Sequence, residues 1–279
     1  MMADMDVVVR LSAAGIPEPL RKVVEPRTAG FPVTIETITR LSARGVACGL
    51  RIQPIFPGYE EEALGMASAA AVAGVKQLSF EYLKVPGESV NTGIAAASRA
   101  LGYDIVKRMH EQGVVRLGPD WTLSRDAKRP FVRRARRHSH ALGVKFGAGD
   151  TEFIPWSDGN GCCGASELTQ PDASHFTANF VGAIRASLAR PDKAVRFETL
   201  LDLWSPAHSV GNYMDWRRRL TPEQRNGRSD WLAFMARRWN GGKSPYSPAF
   251  FDGVDATDDI DEAGFRVYDS SRLARELSR

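Results

Sequence analysis

Arg51, Gln53 and Glu81 are the residues whose types and placement first point to chemistry in this chain. Arg51 and Gln53 interrupt one apolar, partly β-branched run and Glu81 falls near the far end of the next, with a Pro57-Gly58 turn between them. Polar side chains at the carboxyl ends of parallel strands line ligand crevices, so a guanidinium, an amide and a carboxylate on one rim could hold a small polar ligand. An Arg or Glu at a strand end is about as often a structural ion pair, and the residues alone leave both readings open.

Two further groups stand out. Thr151 to Glu167 (TEFIPWSDGNGCCGASE) gathers glycines, Asp158, Asn160 and the adjacent Cys162 and Cys163 into a stretch with no room for a regular element. Thiolate pairs that bind zinc or iron-sulfur clusters usually leave two residues between them, so a neighbouring pair is a poor ligand set and no metal site is assigned. Lys128 to His140 (KRPFVRRARRHSH) packs Arg133, Arg134, Arg136 and Arg137 into little more than one helical turn, with Phe131, Val132, Ala135 and Leu142 for a buried side. Such a helix can neutralise phosphates of a nucleic acid, with affinity that falls as salt rises. A solvated outer helix of an α/β protein is the commoner explanation. No G-x-S-x-G elbow is present, and Gly147-Ala148-Gly149 only begins a dinucleotide pattern that Asp150, Glu152 and Pro155 oppose.

These candidates need elements to position them. Asp6 to Ser12 reads as a strand, followed by a loop carrying Pro17, Pro19, Pro26 and the polar pair Arg21-Lys22. Ile35, Ile38 and Leu41 recur at helical spacing and close on Arg44-Gly45, which predicts a helix. Val46 to Phe56 predicts a strand stopped by Pro57-Gly58, and Glu60, Glu61 and Glu62 suit the amino end of an alanine-rich helix running to Ala73. Val75 to Leu83 is the next strand and Val144 to Phe146 a later one. Even apolar runs, in place of strict alternation, predict parallel strands covered on both faces. The carboxyl third reads as helical, with Phe180, Ile184 and Leu188 on one face, a capped start at Thr221-Pro222, and Trp231, Met235 and Trp239 every four residues. Arginines 217–219, 237 and 238 among Trp216, Trp231 and Trp239 could clamp a nucleic acid strand, although a core stripe with a basic rim is the more frequent arrangement.

The succession of a strand ending in Ser12, a loop with Glu25-Pro26, a helix ending LSARG, the strand and turn LRIQPIFPG, an alanine-rich helix and the strand LSFEYLKVP resembles the second half of a radical S-adenosylmethionine enzyme core. The nearest flavour is the photolyase-like group related to spore photoproduct lyase. The resemblance implies an α/β fold, a partial parallel (half) TIM-like barrel with an added C-terminal helical region. It further implies S-adenosylmethionine and a [4Fe-4S] cluster as cofactors of the full-length parent, and cleavage to a 5'-deoxyadenosyl radical that acts on an unknown substrate. Ser12 matches a residue type that holds the methionyl carboxylate or ribose, Arg51 one that pairs with that carboxylate, the Pro54 to Gly58 turn presents backbone to the adenine, Glu81 reaches the ribose or substrate, and Gln53, Pro57 and Gly58 count among the cofactor-binding candidates. Cys162 and Cys163 become candidate hydrogen-atom donors.

The family's CxxxCxxC loop is missing, since Cys48, Cys162 and Cys163 lack that spacing and only eleven residues precede Ser12. A fragment, a split protein whose first half is a partner chain, or a degenerate relative would each account for this, and the fragment is favoured. The alternative is a non-catalytic nucleic-acid-binding module on a half-barrel scaffold. With 279 residues, 43% of them hydrophobic, and a net charge of +4, the chain divides into a partial barrel over 1–168, a helical region over 169–248 and a mobile tail with a short last helix over 249–279. No apolar run approaches the ~20 residues of a membrane span. Three cysteines cannot form a fully paired disulfide framework, and a cytoplasmic location is expected.

Overall fold

Alternation along the strands decides what each side of the central sheet presents. The computed structural model of the chain describes residues 7–87, 92–159, 161, 164, 168, 180–203, 236–241 and 247–279. They belong to two units, Met1–Asp150 with Cys162–Thr169, and Thr151–Gly161 with Gln170–Arg279. The first unit runs β1 (Val8–Gly15), α1 (Glu18–Val24), α2 (Phe31–Ser42), β2 (Ala47–Ile55), α3 (Glu60–Val72), β3 (Gln77–Tyr82) and β4 (Val85–Pro86). It continues with α4 (Thr92–Leu101), α5 (Ile105–Gln112), β5 (Val114–Leu117), β6 (Asp120–Leu123), α6 (Arg125–Ala141) and β7 (Lys145–Ala148).

Strands β1, β2, β3 and β7 form one sheet in that order, every neighbouring pair parallel. The order never reverses, so this sheet has no switch point of the doubly wound kind. In register, Ser12 stands beside Arg51, Arg51 beside Ser79 and Ser79 beside Gly147. Side chains alternate along a strand. Arg10, Ser12, Arg51, Gln77, Ser79 and Glu81 therefore share one face, and Ala13, Leu50, Ile52, Leu78, Phe80 and Phe146 share the other. Helices α2, α3 and α6 cover the apolar face. Phe131 of α6 meets Phe80 and Tyr82 edge to face at 5.8 and 5.6 Å between ring centres. Leu50, Ile52 and Leu78 are fully buried there, each contributing about 1.5–3 kcal/mol of burial. Both sides of β3 are buried, yet only one is apolar, so the run that reads as even is in fact an alternation of Gln77, Ser79 and Glu81 with Leu78, Phe80 and Tyr82.

The stretch after β1, expected as a loop, contains helix α1, led in by Pro19 in its first turn with Glu18 beside it. At the end of β2 the turn uses Gly58 at φ 98°, a conformation that suits glycine. Between β3 and α6 lies an excursion the sequence left unassigned: α4, α5 and a small antiparallel sheet in the order β4, β6, β5. Its hairpin turns on Gly118 and Pro119, with Leu117 paired to Asp120 and Gly118 at φ 62°.

The second unit begins with a 3₁₀ turn over Thr151–Trp156, then α7 (Phe180–Leu188), β8 (Ala194–Val195), α8 (Phe197–Leu203), a second 3₁₀ turn Pro248–Phe250, β9 (Asp255–Ile260), β10 (Arg266–Asp269) and α9 (Ser271–Leu277). Strands β8, β10 and β9 pair antiparallel in that order. Trp239 is fully buried, edge to face with Phe180, Phe197 and Tyr268 at 5.4, 5.2 and 5.5 Å, and its Nε1 donates to the Arg266 carbonyl at 2.7 Å. Two expectations are corrected here. The tail read over 249–279 carries two strands and a helix anchored by fully buried Tyr268 and Leu273; its acidic segment is the edge strand β9, whose side chains face solvent while its backbone pairs. The start of the irregular stretch, Thr151–Trp156, is a buried 3₁₀ turn in which Trp156 Nε1 donates to the Asp252 carbonyl at 3.1 Å.

Candidate functional site

Three successive strands of the first unit supply the candidate site. Ser12 is exposed on β1, Arg51 is its neighbour on β2, and Glu81 lies two residues past Ser79 on β3, so all three sit on the polar face toward its carboxyl end. Arg51 Nη2 donates to Glu81 Oε2, and Lys84 Nζ donates to Glu81 Oε1 at 2.6 Å. The Glu81 side chain is 5% exposed, against 30% for Arg51 and 26% for Lys84. Two cations, Arg51 and Lys84, flank the Glu81 carboxylate, and a guanidinium and an ammonium on one rim are the groups that suit a carboxylate ligand. Deeper on the same face Arg10 Nη2 donates to Ser79 Oγ at 2.6 Å, and Gln77 is fully buried.

Two close approaches bring other segments to this face. A Cβ on Gly149, just past β7, would stand 2.6 Å from Glu81 Cβ, and one on Gly164 would stand 2.7 Å from Gln77 Oε1. Both positions are closed to larger residues unless their neighbours shift. Gln53 is half-buried near the end of β2. In the Pro57-Gly58 turn both backbone groups have protein partners: the Pro57 carbonyl accepts from the Tyr103 hydroxyl at 2.9 Å and the Gly58 N–H donates to Glu60 Oε2 at 2.8 Å. The Arg108 guanidinium lies 4.1 Å from the centre of the Tyr103 ring and close over Gly58.

A second ion pair stands at the strand ends on the helix-covered side. Lys128 Nζ, fully buried on α6, donates to Asp150 Oδ1 at 2.7 Å, and Asp150 Oδ2 accepts the Tyr82 backbone N–H at 3.0 Å. The Tyr82 hydroxyl donates to Glu60 Oε1 at 3.1 Å, and burial, aided by the Glu60 charge, pushes its phenol well above the ordinary value.

The basic helix does not reach the polar face. Its apolar side covers the opposite face of the sheet, with Arg133 and Arg136 half-buried, Arg134 and Arg137 exposed, and Arg134 Nη1 at 2.5 Å from Glu61 Oε1. His138 of the same helix is half-buried with Nε2 2.9 Å from Ser68 Oγ. Cys162 and Cys163 lie outside the described residues, as do Trp216, Trp231 and arginines 217–219. Cys48 is fully buried, its Sγ 3.5 Å from the Val46 carbonyl, and burial pushes the thiol up, away from the reactive thiolate. Among the described residues no group of three or more His, Cys, Asp or Glu could hold a metal, and no helix is long and apolar enough to cross a membrane.

Sequence reasoning missed Lys84, Arg10, Tyr103, Arg108 and the Lys128–Asp150 pair. Lys84 had a readable signal, because it follows Glu81 by three residues. The others are joined only by the fold. No protein-family model matches the chain, and neither a curated protein nor a solved structure matches it.

Proposed function

We propose that the first unit is the ligand-holding part of a half TIM-like barrel of the radical S-adenosylmethionine type. The observation that carries this reading is the shared polar face of Ser12, Arg51 and Glu81 on three successive parallel strands. Arg51 and Lys84 offer a methionyl carboxylate a guanidinium fork and an ammonium, Ser12 adds a hydroxyl beside them, and Glu81 accepts from a ribose hydroxyl. Gln53 and the Pro57-Gly58 turn, braced by Tyr103, form the wall against which the adenine rests.

A [4Fe-4S] cluster does not fit the donors among the described residues. Such clusters are held by thiolates, and Cys48 is a buried thiol with no second cysteine described near it. In this reading the unit binds and orients the ligand and performs no reductive step, and cluster ligands come from a partner chain or another part of a longer polypeptide.

Calorimetric titration of the purified chain with S-adenosylmethionine tests this. Saturable binding is expected, weakened at least tenfold by Arg51→Gln, a loss of about 1.4 kcal/mol. Absence of binding at millimolar ligand would overturn the reading. Salt-dependent oligonucleotide binding that disappears when Arg133, Arg134, Arg136 and Arg137 are all changed to Gln would then establish the nucleic-acid-binding module in its place.

A further inference from the structure

Glu81 places a carboxylate of the chain's own inside the candidate site. Arg51 Nη2 donates to its Oε2 and Lys84 Nζ donates to its Oε1 at 2.6 Å, so both cations that suit a ligand carboxylate are engaged by an internal one. The three side chains are not equally placed. Glu81 is buried, whereas Arg51 and Lys84 are half-buried and reach solvent.

Glu81 is also walled in. The Gly149 N–H donates to the Phe80 carbonyl at 2.7 Å, and a Cβ on Gly149 would stand 2.6 Å from Glu81 Cβ and 2.8 Å from its Oε2. The next residue, Asp150, accepts from the Tyr82 backbone N–H at 3.0 Å and from fully buried Lys128 Nζ at 2.7 Å. Bonds to the residues on either side of Glu81, Phe80 and Tyr82, thus pin the segment that lies against it. The carboxylate is fixed, and the cations are the members that can move.

Their chemistry separates the two. A guanidinium carries five N–H donors in a planar fork that matches a carboxylate with two parallel bonds, and an ammonium is a point charge with three rotatable donors. Arg51 can therefore turn its fork to a ligand carboxylate while Lys84 stays on Oε1 and still has donors to spare. Glu81 then keeps a counterion, the condition under which a buried carboxylate can give up one partner without being stranded. An ion pair with a solvent-reaching member contributes little, so a ligand of ordinary affinity can drive the exchange.

We propose that Glu81 is a built-in competitor at a carboxylate-binding site: it holds Arg51 until a ligand carboxylate takes the guanidinium, and Lys84 remains on Glu81 throughout. This regulation rests on the ligand-holding role proposed for the polar face. It also serves that role, because the exchange vacates Oε2 as an acceptor for a ribose hydroxyl.

Acetate is the probe, read as the rise in melting temperature of the full chain at an ionic strength held constant with chloride, since a ligand bound only by the folded state stabilises it by mass action. The half-maximal acetate concentration should fall severalfold in Glu81→Gln relative to the unaltered chain, and Arg51→Gln should remove the response that exceeds chloride. A merely structural Glu81 predicts the reverse, because its loss would loosen the site and weaken acetate. In the unaltered chain the Arg51 side-chain nitrogen resonance, assigned by its disappearance in Arg51→Gln, should shift along the acetate saturation curve, a readout that holds even if Glu81→Gln does not fold. An equal or higher half-maximal concentration in Glu81→Gln, an acetate response that survives Arg51→Gln, or an Arg51 resonance indifferent to acetate would overturn the competitor. Binding of S-adenosylmethionine alongside any of these results would leave the adenosyl reading standing, and the expected acetate results without S-adenosylmethionine binding would support the competitor while overturning that reading.

Discussion

Two ion pairs stand at the ends of the same parallel sheet on opposite faces, and their surroundings give them different roles. Lys128 and Asp150 face the helices with side chains 0% and 2% exposed, and the second oxygen of Asp150 is taken by the Tyr82 N–H. Arg51 and Glu81 lie on the polar face, where Arg51 keeps 30% of its surface and Lys84 shares the carboxylate. Removing both partners of a pair from water costs several kcal/mol per ion, recovered only while each holds the other. A pair in that state cannot exchange its partner for a ligand. The half-exposed guanidinium of the other pair can, because water and Lys84 compensate for the change. Depth of burial, more than residue type, separates the structural pair from the pair proposed to bind.

The largest effect expected follows from that contrast. Lys128→Met strands Asp150 without its cation in the interior and should cost about 3–5 kcal/mol in urea denaturation. Arg51→Gln leaves Glu81 paired with Lys84 and should cost about 1 kcal/mol or less. Equal losses in the two variants would erase the distinction. Next in size is Gly149→Ala, whose Cβ would press on Glu81 Cβ at 2.6 Å and the Phe80 carbonyl at 3.0 Å. Overpacking of this kind costs about 1–3 kcal/mol, and here it should also displace Glu81 and weaken any ligand held by the cluster. Gly65→Ala provides the opposite case: on an open helix surface it should stabilise by about 0.5–1 kcal/mol. Thermal melting of the two variants should give shifts of opposite sign.

Much of the first unit was legible because its signals are local. Ile35, Ile38 and Leu41 with Gly45 marked α2, Pro57-Gly58 ended β2, and three glutamates marked the start of α3. Arg51 and Glu81 were legible as strand-end residues, but the polarity of their whole face was not, since β2 and β3 look continuously apolar until Gln77, Ser79 and Glu81 are set on one side. Helix α1 was hidden by prolines that mark its entry as readily as they mark a loop, and with it the burial of Arg21. Lys128 sits in a basic run whose other members are half-buried or exposed, and its partner Asp150 is 22 residues away, so no spacing rule links them. The acidity of β9 hid an edge strand, because such a strand needs only its backbone to pair.

The smallest effect expected concerns the Pro57-Gly58 turn and appears at alkaline pH. Burial pushes the Tyr103 phenol up to about 12, against the pull of Arg108. An unfolded tyrosine titrates near 10, so between about 10 and about 12 the unfolded chain has released a proton that the folded chain still holds. Stability from this group is therefore fully present below the unfolded value and is lost as pH rises through the folded one. Tyr103→Phe should flatten that part of the alkaline decline in the urea midpoint, while removing the bond to the Pro57 carbonyl costs about 1 kcal/mol or less at neutral pH. The second unit offers the matching control, because burial also pushes Tyr268 up to about 12, and Tyr268→Phe should flatten the decline there without touching the Pro57-Gly58 turn. If Tyr103→Phe leaves the alkaline slope unchanged, the phenol is not held by its surroundings and the proposed wall for an adenosyl ligand loses its brace.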